Sequence, residues 1–204
     1  MADPAVPLHV PLHWRAALGP RPHQREGRAE GAAGVALREQ TGFALFEVCA
    51  RPGQGEGLAA RLGAAFGLPV ALPRTGLGDA RAALLWSGPG RWRLLGTPGR
   101  LDRATLAAAC AGGGWFTDRR GGFGWISVSG PAAAEALGRA VPVDLHPRTF
   151  GFGDVVLTTA DHIPLQIWQS APAPCYELLF PRSSAGSFWA WLIDQTAGFG
   201  VAVG

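Results

Sequence analysis

YELLFPRSSAGSFWAWLID, residues 176–194, reads as a strand over 176–180 that runs almost directly into a closing helix over 183–196. Set out at about 100° per residue, Phe188, Trp191 and Leu192 point one way, while Trp189 and Ile193 widen the apolar arc to about half the circumference. A helix apolar over so wide an arc is covered on two sides. One side meets the sheet of its own chain. The other meets either a second part of this chain or a partner subunit, which makes Phe188, Trp189, Trp191 and Ile193 the candidate subunit interface.

Upstream of that stretch, strands are expected at 155–159 and 163–169, and residues 123–128 alternate as a strand does. Ser129-Gly130-Pro131 then opens a helix through Leu137, proline being well tolerated in a first turn. An earlier segment has the same order of elements. A short apolar piece at Val35 leads through Gly42 into a strand over 43–50. Leu58, Leu62 and Phe66 recur every four residues and form the stripe of a helix ending near Gly67 and Pro69. Strands over 82–86 and 92–96 flank Ser87-Gly88-Pro89-Gly90, which has the chemistry of a hairpin turn. A helix over 101–110 follows, and a strand near Trp115 completes a split βαβ unit. The expected fold class is therefore α+β: two ferredoxin-like (split βαβ) lobes, 35–114 and 115–204, with sheets layered against helices. Residues 1–34, rich in Pro, Gly, Arg and Glu, are expected to be a mobile or partner-ordered arm.

The composition of the 204 residues narrows the function classes. Apolar residues make up 48% and charged residues only 16%, with eight Trp and one Tyr. So little charge and so much Trp suit either a generous core or a face covered by another subunit. The net charge of +3 comes from eighteen Arg and no Lys. Together with 30 Gly and 17 Pro, that is the signature of G+C-rich codons. The arginines are scattered rather than clustered along one face, which argues against a nucleic-acid partner. Cys49, Cys110 and Cys175 are far apart and read as buried free thiols. The first residues show no charged-then-apolar leader, and no apolar run approaches the ~18 residues of a membrane helix. A cytoplasmic protein with no membrane partner is the expectation.

Motifs for chemistry are sparse. There is no Gly-x-Ser-x-Gly, no Cys-His signature and no spacing for a metal cage, since His9, His13 and His23 lie in the arm while His146 and His162 stand alone. Gly53-Gln54-Gly55-Glu56-Gly57 lies between a strand and a helix, but Leu58 stands where a dinucleotide fingerprint needs its third glycine. It reads as an ordinary strand-to-helix turn. In VPVDLHPRTF, residues 141–150, two prolines force an extended path. Asp144, His146 and Arg148 then project to one side, where they could bind an anion, and Asp144 and Arg148 are expected to pair and hold the loop.

Taken together, Ser129-Gly130-Pro131, VPVDLHPRTF, IPLQIWQ from Ile163, YELLFPRSSAGSFWAWLID and Gly198-Phe199-Gly200 resemble the sarcosine oxidase gamma-subunit family, with support from LLWSGPGRWRLLG at Leu84. The resemblance covers about residues 35–200. It implies a fold related to the folate-binding domain of the aminomethyltransferases. It also implies a non-catalytic gamma subunit in a heterotetrameric oxidase that demethylates sarcosine, alongside alpha, beta and delta subunits. FAD, FMN, NAD, tetrahydrofolate and zinc would reside in those other chains, with none bound by this one and no catalytic residue carried over. Thr117 to Gly124 departs from the family's Asp-x-Ser-x-Gly-Arg-like stretch. That departure leaves open the small subunit of a related N-methylglutamate dehydrogenase, beside a free-standing folate-binding or one-carbon transfer protein.

Overall fold

The elements follow, in chain order, from these patterns. The computed structural model describes residues 16–19, 24–26, 32–70, 72–79 and 81–204. Strands β1 (Gln24–Glu26), β2 (Val35–Glu39) and β3 (Ala44–Ala50) precede helix α1 (Gly55–Phe66). Next come β4 (Gly76–Gly78), β5 (Ala82–Gly88), β6 (Arg91–Gly96), helix α2 (Arg103–Cys110) and β7 (Gly114–Asp118). The second half runs through β8 (Phe123–Ser129), α3 (Ala133–Ala140), β9 (Val155–Ala160), β10 (Ile163–Ala171), β11 (Cys175–Pro181), α4 (Ala185–Thr196) and β12 (Val201–Val203).

Local chemistry accounts for the boundaries. Helix α1 stops at Gly67, whose left-handed φ of 65° is tolerated because it has no Cβ. Helix α2 starts at Asp102, whose carboxylate accepts the Thr105 N–H at 2.7 Å and its hydroxyl at 2.8 Å. The β9–β10 hairpin closes through Asp161 and His162, both at positive φ, as a two-residue turn that matches strand twist requires.

Two sheets result. The first has the order β4-β5-β6-β3-β7 with every pairing antiparallel, so β3-α1-β5-β6-α2-β7 is a complete split βαβ unit with β4 added at one edge. The second has the order β1-β12-β2-β8-β11-β10-β9. Here β8, α3, β10, β11, α4 and β12 repeat the unit, but β2 is inserted between β8 and β12, antiparallel to the former and parallel to the latter.

Both lobe boundaries are corrected by this pairing. Residues 35–39 do not open the first lobe; as β2 they are a strand of the second sheet. Residues 114–118 lie across the expected 114/115 division but pair with β3 and close the first sheet. Backbone ladders pair strands by register, whatever their neighbourhood in sequence. Within the expected arm, residues 24–26 pair with β12, the Leu18 N–H donates to Glu39 at 2.9 Å, and Ala17 and Leu18 pack on the second core. These parts are held by the chain itself. Leu12 and Trp14 lie outside the described residues.

Alternation along the strands sorts the core into three layers. Ala44, Phe46, Val48, Leu84 and Leu94 face α1 and α2. Ile126, Val128, Leu165, Ile167, Leu178 and Phe180 face α3 and α4. Their neighbours in sequence, Leu45, Ala83, Leu85, Leu95, Trp125, Trp168 and Leu179, meet between the sheets. The order of layers is thus helices, sheet, sheet, helices.

Gly76 is where that central layer is tightest. A Cβ there would lie 2.5 Å from Leu85, 2.6 Å from Val155 and 2.9 Å from Trp168. Gly76→Ala is expected to destabilise the chain by about 1–3 kcal/mol through overpacking. Gly186→Ala, on α4 with nothing within 4 Å of the new Cβ, should stabilise it by ~0.5–1 kcal/mol by reducing unfolded-state entropy. Urea denaturation of the two variants measures the opposite signs.

Candidate functional site

Helix α4 spends most of its apolar arc on its own chain. Phe188 and Leu192 are fully buried and Trp189 is 6% exposed. The Phe188 ring lies 4.4 Å from Phe180 of β11 and stacks on Trp191 at 5.7 Å. Trp191 and Ile193 are half-buried at the edge of the same cluster. Of the four expected interface residues, Phe188 and Trp189 are therefore covered from within, and Trp191 and Ile193 keep part of their surface exposed.

The loop after α3 is held differently from the expected Asp144–Arg148 pair. The Asp144 carboxylate accepts the His146 backbone N–H at 2.9 Å, and that bond, followed by one from the Thr149 side chain, holds it below the usual carboxylate range. Arg148 donates its own backbone N–H to His146 Nδ1 at 3.2 Å. Among the described residues, Arg148 forms no ion pair with Asp144. A two-residue Asx bond to the backbone is shorter in reach and needs no long side chain to be ordered.

The richest polar chemistry lies between the sheets, at residues the sequence reading passed over. Glu177 is 7% exposed, on the face of β11 opposite Tyr176 and Leu178. Its carboxylate accepts the Trp125 indole N–H and the Ser127 hydroxyl on one oxygen, and the Ser170 hydroxyl at 2.8 Å on the other. Gln40 in turn donates to Ser127 at 2.8 Å. A buried carboxylate is tolerable when its lone pairs are filled in this way. Further along the same face, Gln166 accepts from Arg93 Nη1 at 2.6 Å and donates to the Trp86 carbonyl at 2.9 Å. The Trp168 indole donates to the Gly76 carbonyl at 2.8 Å. The one available signal was an acidic residue inside an otherwise apolar strand, in register with Trp168 across the pair.

Other candidates resolve into structural roles. Gly53 to Gly57 forms the turn into α1, with Gly53 at φ 74° and Glu56 in the first helical turn. Cys49, Cys110 and Cys175 are free, and burial pushes each thiol up from its ordinary value. Among the described residues no group of three or more His, Cys, Asp or Glu is placed to hold a metal ion. No helix among them is long and apolar enough to cross a membrane. In the stretch 117–124, Arg120 chelates Asp118 and Arg119 lies 3.6 Å from Glu47.

A model of the sarcosine oxidase gamma subunit family matches residues 53–198. Sarcosine oxidase subunit gamma from an Arthrobacter species is 33% identical over 186 residues, 88% of this chain and 90% of that protein. A chain of the heterotetrameric sarcosine oxidase from Corynebacterium sp. U-96 superposes with a TM-score of 0.72 at 31% identity, over 85% of this chain and 88% of its counterpart. Aminomethyltransferase T of the glycine cleavage system from Bartonella henselae superposes at 0.61 with 18% identity, over 84% of this chain and 48% of its own. This last is a likeness of fold, the one that the motifs implied.

Two outcomes are expected of the isolated chain. Trp189→Ala should cost about 3–5 kcal/mol, as a buried aromatic truncation does, and Trp191→Ala distinctly less; chemical denaturation compares them. Glu177→Gln places an amide NH2 among donors and should destabilise by about 1–3 kcal/mol, read as a lowered denaturation midpoint with an unchanged slope.

Proposed function

Because this chain belongs to the sarcosine oxidase gamma subunit family, we propose that it is the gamma subunit of a heterotetrameric sarcosine oxidase, supporting assembly rather than performing chemistry. The observation that carries the reading is the superposition on a chain of the heterotetrameric enzyme over nearly nine-tenths of both molecules. Its partners are then the alpha, beta and delta subunits. The flavins, NAD, tetrahydrofolate and zinc of the oxidation are assigned to those chains, and the complex demethylates sarcosine. The interior supports this assignment. Around Glu177 the buried side chains between the sheets are spent on one another, an arrangement that rigidifies a scaffold.

Co-expression with the larger subunits tests the reading. The chain is expected to co-purify with them in a flavin-bearing complex that forms peroxide on addition of sarcosine, while the isolated chain shows no flavin absorbance. Stoichiometric flavin on the isolated chain would overturn the assignment. Calorimetric titration of the isolated chain with tetrahydrofolate should give no saturable heat; micromolar binding would point instead to a folate-binding protein.

A further inference from the structure

Arg93 is short of counter-charge: it shares the carboxylate of Glu47, its cross-strand neighbour on β3, with Arg119. It projects from β6 into the gap between the sheets, and its Nε is buried with no hydrogen-bond partner. Nη1 donates to the neutral amide of Gln166 at 2.6 Å. The guanidinium lies over the Phe123 ring at 4.7 Å, and the Arg119 guanidinium lies 5.7 Å from the centre of the same ring. Among the described residues, Glu47 is the one carboxylate acting on this pair, and it sits 3.6 Å from Arg119. Two guanidinium groups therefore share one carboxylate. Desolvation lowers the basicity of Arg93, and a half-buried charge whose Nε is shut away without a partner gains from a further anion.

The space in front of Arg93 is shaped for the missing group. A cleft of about 370 Å³ elsewhere adjoins α3, but the one at Arg93 is smaller, about 270 Å³, and is lined by Phe123, Leu157, Pro164, Gln166 and Leu179. At its rim Leu157 is 43% exposed on the edge strand β9 and Pro164 is also exposed. The volume falls below the ~300–1,000 Å³ typical of small-molecule pockets and suits one side chain. An apolar rim around an arginine in want of an anion is the composition of an interface anchor point. We propose that this cleft receives an acidic side chain of a partner subunit, whose carboxylate pairs with Arg93 while the exposed Leu157 is covered. The proposal rests on reading the chain as a subunit of a larger oxidase.

Assembly with co-expressed partner subunits provides the test, with Arg93→Gln and Leu157→Glu compared with wild type. Arg93→Gln is expected to weaken assembly at least tenfold, while the thermal midpoint of the isolated chain stays the same or rises because an under-compensated, half-buried charge is gone. Leu157→Glu, at a position already 43% exposed, supplies a carboxylate at the rim and should block assembly to a similar degree. Wild-type assembly should weaken with added salt and that of Arg93→Gln much less. Unchanged assembly by either variant overturns the proposal. Sodium benzoate titrated into the isolated chain is expected to show no saturable heat; saturable binding lost in Arg93→Gln overturns the partner source in favour of a free carboxylate. A wild-type chain that assembles with nothing would instead defeat the subunit reading itself.

Discussion

The contact between the two sheets is the constraint on which the rest depends. Each split βαβ unit covers one face of its sheet with its own helices and leaves the other apolar. Leu45, Ala83, Leu85 and Leu95 of one sheet need Trp125, Val155, Trp168 and Leu179 of the other. Neither unit would keep that face dry alone. Gly76 and Trp168 set how closely the layers approach, through the absence of a Cβ on one side and an indole bond to the Gly76 carbonyl on the other.

Polar groups are threaded through this apolar layer. Gln166, Trp168 and Ser170 succeed one another on the facing side of β10, and through them the layer reaches Arg93, Gly76 and Glu177 in turn. Where every lone pair is filled, as at Glu177, such a network specifies one register of the two sheets. Where the pairing is incomplete, as at Arg93, the imbalance marks the edge at which the chain is not self-sufficient.

Helix α4 shows how far one chain covers a wide apolar arc from within. Phe180 and Phe188 meet at 4.4 Å beneath the helix, and Trp189 is drawn down with them. Trp191 and Ile193 remain at the margin. The width of the arc was readable from spacing, but how far the chain's own surface wraps around it was not.

Local patterns determined the helices, most strands and the βαβ order of both halves, because amphipathic period, turn glycines and caps act over a few residues. The stretch at 176–194 showed strand, turn and helix on its own, and the family motifs spread over 84–200 were legible as a string. Tertiary structure alone decided that Val35–Glu39 crosses to the second sheet, that Gly114–Asp118 stays with the first, that Asp144 bonds to His146, and that Glu177 and Arg93 share the inter-sheet layer. These are non-local: register between distant strands and the meeting of side chains from different sheets depend on which ladder minimises unpaired backbone and exposed apolar surface for the whole chain.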